Sequence, residues 1–241
     1  MDPFAQALVN SVVVEGDSVL DVACGTGIAT RAAAEIAGAH AAVVGSDINR
    51  PMLDVAAEFS VGSGDGIAWR EASTLDLPFD DGEFDRVICQ QGVQFLPDPG
   101  RGLSEMARVA RVGGTVAVTV WSPLGDSPYF EAMHSMLMRY CDAEPLDVAW
   151  ASETSQVAQW FAEGGLSDVS VDRRVERIAL PPLDAFVPAH MKATPWAQAF
   201  GELSPSRALA AVSDMQHHLS SWKTAAGLNV PFSSYLATAP I

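Results

Sequence analysis

The residues with the clearest chemical meaning lie between positions 18 and 47. The apolar run Ser18–Ala23 predicts a buried strand, and the sequence CGTG that follows it, Cys24–Gly27, predicts a glycine loop that opens an alanine-rich helix. Glycines let the backbone pass close to a ligand and direct amide N–H groups toward an acceptor. Asp21 lies inside this strand, and Asp47 ends the next strand about 20 residues beyond the loop, where a carboxylate can accept hydrogen bonds from two ribose hydroxyls. The combination indicates a ligand that carries a nucleoside.

Two other interpretations of this segment stay open. In the first, Gly25 and Gly27 form only a tight turn, Asp47 caps the following helix and Asp21 organises the loop. In the second, the loop binds a dinucleotide, but the fingerprint of such sites has a third Gly or Ala where the helix presses on the strand. The run GTGIAT places the β-branched Thr30 there, which disfavours NAD and FAD.

Strands and helices alternate through the first half of the chain, so that they can position these residues. A short helix begins at Asp2, and the apolar patterns predict strands at 18–23, 41–47, 67–70, 86–89 and 115–121, with helices at 28–37, 52–59 and 99–110. Because the strands are nearly continuous apolar runs with short connections, we predict an α/β fold with a doubly wound, mostly parallel sheet. Ligands of such sheets bind where the carboxyl ends of the strands meet.

The second half of the chain is predicted to complete this sheet. We divide the chain into a ligand-binding core at residues 1–122 and a second part at residues 123–241. In the second part, alternating residues at about 168–180 and 230–239 predict an antiparallel last hairpin. Helices at about 129–141 and 181–227 are predicted to form a substrate cap, because the second segment is too long for a hairpin connection and is rich in aromatic residues and methionine.

The composition restricts the partners of the chain. Its 241 residues carry a formal net charge of −16, which repels nucleic-acid phosphates and anionic lipid surfaces, so we expect neither nucleic acid nor membrane as a partner. Neither a signal peptide nor a long apolar run is visible, and we expect a cytoplasmic protein. The three scattered cysteines indicate reduced thiols, and the absence of clustered His and acidic residues predicts no metal.

Four blocks in order resemble the class I S-adenosylmethionine-dependent methyltransferases. They are LDVACGTG, VVGSDINRPML, TLDLPFDDGEFDRVICQQGVQFLPDP and LSEMARVARVGGTVAVTVW, and together they extend over residues 19–121. Within the family, the chain is most similar to the branch labelled ubiquinone/menaquinone C-methyltransferases, which also includes natural-product methyltransferases. The resemblance implies a Rossmann-like methyltransferase fold, S-adenosylmethionine as cofactor and S-adenosylhomocysteine as its product.

The resemblance also implies roles for individual residues of the core. The aminoacyl end of the cofactor would be held by Asp21 and by the loop residues Ala23, Cys24, Gly25 and Gly27. The ribose would be held by Asp47, and the adenine would pack on Ile48 and Met52. Relatives often carry a Gly-Asp pair after the third strand that meets the adenine amino group, whereas this chain has Ala72-Ser73, which leaves Ser73, Thr74 or the backbone for that contact. At the end of the fourth strand, Gln90 is the expected cofactor contact.

The methyl acceptor is less defined by the sequence than the cofactor. Gln94 lies where relatives often carry histidine, and an amide cannot take a proton. Weak candidates for a catalytic base therefore lie outside the matched blocks, at His134, His190 and Tyr129. Gln94, Tyr129 and Trp196 are candidate acceptor contacts, and the aromatic residues of the cap favour a small apolar or aromatic acceptor, natural-product or quinone-like.

Three functions remain at this point: a small-molecule methyltransferase, a nicotinamide-dependent oxidoreductase, and a catalytically silent adenosylmethionine-binding protein that acts by interaction. Relatives often carry further helices before the first strand that close over the site, whereas only about one short helix precedes Val19 here. We therefore expect closure to come from the cap or from a partner subunit, or to be absent. The alternative uses of the aromatic residues in the cap are to hold it onto the sheet or to form a homodimer contact.

Overall fold

The computed structural model describes residues 2–60, 66–141, 153–192, 194 and 196–241. Its helices are α1 (Asp2–Val12), α2 (Ile28–Ala37), α3 (Arg50–Phe59), α4 (Pro99–Val109), α5 (Pro128–Tyr140), α6 (Thr154–Glu163), α7 (Leu183–Met191), α8 (Ala197–Gly201) and α9 (Pro205–His218). Its strands are β1 (Val19–Val22), β2 (Val43–Asp47), β3 (Ala68–Glu71), β4 (Phe84–Gln90), β5 (Ala110–Trp121), β6 (Ser170–Leu180), β7 (Lys223–Thr224) and β8 (Gly227–Pro240).

The described strands form one mixed sheet in the order β3-β2-β1-β4-β5-β8-β6, and β7 pairs with β8. Neighbouring strands from β3 to β5 are parallel, and β8 runs antiparallel to β5. The predicted α/β fold with a mostly parallel sheet is therefore confirmed. The fifth strand begins earlier than its apolar run, at Ala110, because this residue pairs with Phe84 before an irregularity in the register.

Helices cover both faces of this sheet. Leu20 and Val22 of β1 belong to a buried cluster with side chains of α4 and α6, whereas Val19 belongs to a second cluster with side chains of α1 and α2. Because successive residues of a strand point to opposite faces, the two clusters lie on opposite sides of the sheet. All residues of β1 are buried, which explains why the strand is apolar except at Asp21.

Local sequence signals set several helix starts. The side chain of Asp98 accepts a hydrogen bond from the backbone N–H of Arg101 at 2.9 Å, so the Asp-Pro pair before α4 is a cap followed by proline, as predicted. At α3 the cap is Asn49, which accepts from the N–H of Met52. Among the described residues, we find no helix that combines the length and the apolar character needed to cross a membrane.

The chain separates into two compact units that interleave along the sequence. Unit 1 consists of Met1–Trp121, Ser152–Arg174 and Ser234–Ile241, and unit 2 of Ser122–Ala151 and Val175–Ser233. Helix α6 thus belongs to unit 1, where Phe161 is completely buried in the cluster that also contains α4. Unit 2 contains α5, α7, α8 and α9.

We expect Phe161→Ala to lower the free energy of unfolding by about 3–5 kcal/mol, because it removes a fully buried ring and leaves a cavity. Phe59→Ala is the matched control, since this ring at the end of α3 is 68% exposed and its loss should cost less than about 1 kcal/mol. Urea unfolding of both variants measures the difference. Equal losses would show that α6 does not contribute to the core of unit 1.

Candidate functional site

The glycine loop joins β1 to α2 and adopts a backbone that requires glycine. Gly25 has φ +56° and Gly27 has φ +78°, both in the left-handed region. The N–H of Gly25 donates to Asp47 Oδ2 at 2.8 Å, and Gly27 precedes the first turn of α2 without any side-chain cap. The N–H groups in the first turn of α2 are thus left without a side-chain cap where the helix meets the loop.

The ring of Trp69 on β3 leaves no space for a side chain at Gly27 of the loop or at Gly45 of β2. An added Cβ would lie 2.3 Å from this ring at Gly27 and 2.4 Å from it at Gly45, so neither position accepts a side chain. The register of β2 and β3 places Trp69 directly opposite Gly45. Sequence reasoning missed this tryptophan, although a large ring in a short strand opposite a glycine was the available signal.

Asp47 ties the loop to the end of β2. Its Oδ2 accepts from the N–H of Gly25, and its Oδ1 accepts from the N–H of Asn49, both at 2.8 Å. The alternative that Asp47 caps α3 is therefore wrong, because Asn49 has that role. Each carboxylate oxygen has two lone pairs, so the half-buried Asp47 retains capacity to accept two hydroxyl groups.

Among the described acids of unit 1, Asp21 has the most strongly shifted pKa. It is completely buried, and its Oδ2 accepts a hydrogen bond from the Thr30 hydroxyl at 2.6 Å. Its Oδ1 has no hydrogen-bond partner among the described residues. Burial raises the pKa of Asp21, the Thr30 hydroxyl lowers it and the charge of Asp47 raises it, and together these effects bring it to about 7. Thr30, which the sequence offered only as a mismatch to dinucleotide sites, is thus the partner of the acid.

Two further residues at the loop, Ala23 and Cys24, carry no charge. Cys24 is half-buried, and burial together with Asp21 and Asp47 raises the pKa of its thiol, so the sulfur stays uncharged. Ala23 has φ +52°, which is unusual for a residue with a Cβ. An added Cβ at Gly92, beyond the end of β4, would lie 2.8 Å from Ala23 Cβ, so the backbone at the ends of β1 and β4 is in close contact.

Two exposed apolar side chains follow Asp47. Ile48 is 72% exposed and Met52 is 39% exposed, whereas the core of unit 1 is built from fully buried residues. After β3, the hydroxyl of Ser73 accepts from the N–H of Leu75 at 3.2 Å. Thr74 is buried, and its methyl group would be 3.3 Å from a Cβ added at Gly102 of α4. Of the two candidate adenine contacts, Ser73 is therefore the more exposed.

The end of β4 carries a run of glutamines. Gln90 is half-buried as the last residue of the strand, and Gln91 follows with φ +56°. Gln94 lies in a 3-10 helix, Val93–Phe95, and its Oε1 accepts from the N–H of Trp121 at 2.9 Å. Sequence reasoning chose Gln90 and Gln94 and passed over Gln91, whose left-handed backbone has no signal in a single sequence.

The candidate catalytic residues all lie in unit 2. The Tyr129 hydroxyl is 2.6 Å from His190 Nδ1, and Phe186 stacks on the same imidazole with ring centroids 5.3 Å apart. Burial raises the pKa of Tyr129 and lowers the pKa of His190, so both groups are neutral near pH 7. His134 is half-buried on α5, and Trp196 is half-buried directly before α8.

Comparisons with known proteins give this geometry a family context. The family model of the methyltransferase domain matches residues 20–118. An uncharacterised protein of Mycobacterium tuberculosis is 38% identical over 156 residues, which cover 63% of this chain and 55% of that protein. The chain thus spans about half the length of this relative. The demethylmenaquinone methyltransferase of Clavibacter sepedonicus is 31% identical over 170 residues, which cover 65% of this chain and 68% of that enzyme.

A solved structure shares the whole fold. The YcgJ protein from Bacillus subtilis superposes with a TM-score of 0.66 at 16% identity, covering 100% of this chain and 99% of that one. This likeness shows the fold alone. The identity to the demethylmenaquinone methyltransferase, together with the match to the methyltransferase domain, places the sequence in a family: this chain belongs to the class I S-adenosylmethionine-dependent methyltransferases.

Proposed function

We propose that this chain binds S-adenosylmethionine at the carboxyl edge of β1 and β2 and catalyses transfer of its methyl group to a small acceptor. The observation that carries the proposal is the buried carboxylate of Asp21, whose Oδ1 has no hydrogen-bond partner among the described residues. A buried acid with an unpaired oxygen beneath a glycine loop fits a cationic ligand that can donate hydrogen bonds, because a nearby positive charge favours the ionised form of the acid. The ammonium group and the positively charged sulfur of S-adenosylmethionine meet that description.

The surrounding residues fit the rest of the same ligand. The glycine loop and Asp21 would hold the aminoacyl end, and Asp47 would accept the ribose hydroxyls with the lone pairs that Gly25 and Asn49 leave free. The exposed Ile48 and Met52 offer an apolar surface for the adenine ring. Ser73 and the half-buried Gln90 complete the expected contacts. 

The same charges disfavour a nicotinamide cofactor. A dinucleotide would bring its pyrophosphate to the loop, where Asp21 and Asp47 would repel it. Thr30 also occupies the position of the small third residue of the dinucleotide fingerprint, and its hydroxyl is engaged by Asp21. Both observations favour the methyltransferase over the oxidoreductase.

The chemistry needs positioning more than acid–base catalysis. S-adenosylmethionine supplies, when bound, a methyl group on a positively charged sulfur that an in-line nucleophile can take. The chain contributes by binding the two reactants in line and by excluding water, effects that account for much of the rate of such displacements. Tyr129 and His190 form a neutral pair, and a base is required only if the acceptor atom carries a proton.

We further propose that aromatic side chains of unit 2 bind a small aromatic or apolar molecule. Several apolar residues of its helices are buried and hold the unit together, among them Met191, Phe200 and Met215. Trp196 and Phe186 are only half-buried, as are Tyr140 and Trp222, so aromatic side chains of the predicted cap remain accessible for a ligand. A small aromatic or apolar acceptor fits that surface.

Calorimetry with S-adenosylhomocysteine should show binding in the micromolar range, and NADH should not bind.

Asp47→Ala should weaken the binding of S-adenosylhomocysteine by about 1.5–3 kcal/mol, the scale of hydrogen bonds to a charged group. Asp47→Asn keeps an oxygen for the Gly25 N–H and so separates the ligand contact from the support of the loop. Unchanged affinity in both variants, with circular dichroism of the native fold, would restrict Asp47 to loop support. Binding of NADH alone would reject the proposed cofactor.

Asp21→Asn should stabilise the chain in a pH-dependent way. The folded chain keeps the Asp21 proton up to a pKa of about 7, whereas the unfolded chain releases it near its ordinary value of about 3.9. Wild-type stability therefore falls as the pH rises through this window, and asparagine does not titrate. Urea unfolding should show an advantage of the variant that is larger at about pH 8 than at about pH 5.5.

The same variant should bind S-adenosylhomocysteine more weakly, because the ammonium group loses its anionic partner. Asp54→Asn is the control for ligand binding, since this exposed acid on α3 pairs with Arg50 and is not among the proposed ligand contacts. A constant difference for Asp21→Asn across the same pH range would contradict the assigned burial cost.

Trp196→Ala should leave the melting temperature and the affinity for S-adenosylhomocysteine unchanged and lower acceptor turnover by about tenfold or more, or ~1.4 kcal/mol. Turnover is measured with labelled S-adenosylmethionine and a panel of phenols, quinols and amines. Phe200→Ala is the contrasting variant, because this buried ring should cost about 3–5 kcal/mol of stability. If Trp196→Ala loses as much stability as Phe200→Ala, Trp196 belongs to the core of unit 2.

A further inference from the structure

Buried polar atoms without hydrogen-bond partners are concentrated at one edge of the sheet. Within the described part of unit 1, such side-chain atoms belong to Asp21, Gln91, Gln94, Thr119 and Ser234. Asp21 lies near the carboxyl end of β1, the two glutamines follow β4, and Thr119 lies near the carboxyl end of β5. Ser234 pairs with Trp121, the last residue of β5. The amino edge of the same sheet contributes none of these atoms.

Such atoms destabilise a folded chain, because burial removes their hydrogen bonds to water and no hydrogen bond within the protein replaces them. Their concentration at the edge where ligands of parallel sheets bind therefore indicates groups reserved for a ligand. Asp21 is already assigned to the cofactor in the proposed function. The glutamines are left for the other reactant.

Gln91 has the most constrained environment. Its backbone is left-handed at φ +56°, and its N–H donates to the carbonyl of Thr119 at 2.9 Å. Both polar atoms of its side-chain amide are buried without a partner among the described residues. A strained backbone that presents an unsatisfied amide is a feature expected of a binding site.

Gln94 presents a second amide whose orientation is fixed. Its Oε1 accepts from the N–H of Trp121, so its Nε2 is the end that is left over. Gln94 is 9% exposed, and Nε2 has no hydrogen-bond partner among the residues described. The unpartnered atom of Gln94 is therefore a hydrogen-bond donor, whereas the unpartnered atoms of Gln91 are a donor and an acceptor.

We propose that Gln91 and Gln94 form the subsite for the polar head of the methyl acceptor, and that this head is a neutral group with a hydroxyl beside a carbonyl, carboxamide or second hydroxyl. The proposal rests on the proposed function, since it assigns the second reactant of the same site. Two neutral amides complement a neutral group that both donates and accepts.

The two neutral amides favour a neutral head over a carboxylate at this position. The buried Asp21 lies at the same edge of the sheet, and together with burial it raises the pKa of the Cys89 thiol, so negative charge is disfavoured at the end of β4. Cys89 is only two residues before Gln91. A second negative charge would be repelled there, and neither glutamine carries a compensating positive charge.

The test uses the complex with S-adenosylhomocysteine, which cannot react, and two probes of matched shape. Salicylamide carries a neutral hydroxyl–carboxamide head, and salicylate carries the charged counterpart. Ligand-observed NMR titrations of the wild-type complex should give tighter binding of salicylamide than of salicylate. Gln91→Met keeps the length of the side chain and the backbone strain, and it should weaken salicylamide binding by about fivefold or more, the scale of one hydrogen bond.

Two further variants separate recognition from structure. Gln94→Glu keeps an oxygen for the Trp121 N–H but removes the donor, so it should also weaken salicylamide binding. Gln6→Met makes the same chemical change as Gln91→Met at an exposed position of α1 and should leave salicylamide binding unchanged.

Gln91→Met should in addition raise the melting temperature, by about 2–4 °C, because it replaces an unsatisfied buried amide by an apolar group.

The outcomes are distinguishable. If S-adenosylhomocysteine fails to bind the wild-type chain, the proposed function fails. If it binds but salicylamide does not, or salicylate binds as tightly, the inferred acceptor class is overturned. A fall in the melting temperature of Gln91→Met, with probe binding unchanged, would show that the amide of Gln91 supports the fold and does not recognise the acceptor.

Discussion

A carboxylate without access to water is the constraint around which the site is organised. Asp21 is completely buried, and a charge there is tolerated only when other groups stabilise it. The Thr30 hydroxyl satisfies one oxygen and leaves the other without a partner among the described residues. This is the physical basis for proposing that a cation binds at this edge of the sheet in preference to a pyrophosphate.

The parallel sheet converts that local constraint into a site. Pairing of β1 with β2 places Asp21 opposite Gly45, and Asp47 at the end of β2 then reaches across to the N–H of Gly25. Trp69 on the next strand fills the space that Gly27 and Gly45 leave without side chains. The loop is thus fixed from one side by a hydrogen bond and from the other by an aromatic ring. These contacts depend on register, so a shift of one residue between β2 and β3 would abolish them.

The sequence was sufficient for features that depend on near neighbours. Nearly continuous apolar runs predicted the core strands, the Asp98-Pro99 pair predicted the start of α4, and CGTG predicted the glycine loop between β1 and α2. Contacts between distant positions were not visible, such as the pair of Tyr129 with His190, which are 61 residues apart. The left-handed backbone of Gln91 was also hidden, because the chain pairing around it, and not its own side chain, imposes that conformation.

Hydrogen-bond satisfaction separates two kinds of polar residue that look alike in the sequence. The Tyr129 hydroxyl and His190 Nδ1 form a hydrogen bond inside an aromatic cluster of unit 2. Burial keeps both groups uncharged, which is typical of polar residues that stabilise a core. Gln91 has the opposite character, since its backbone is engaged while its side-chain amide has no partner among the described residues. A chain that keeps an unsatisfied amide on a strained backbone loses stability at that position. Such a loss persists where binding of a ligand offsets it, so polar satisfaction, more than residue type, distinguishes recognition from support in this chain.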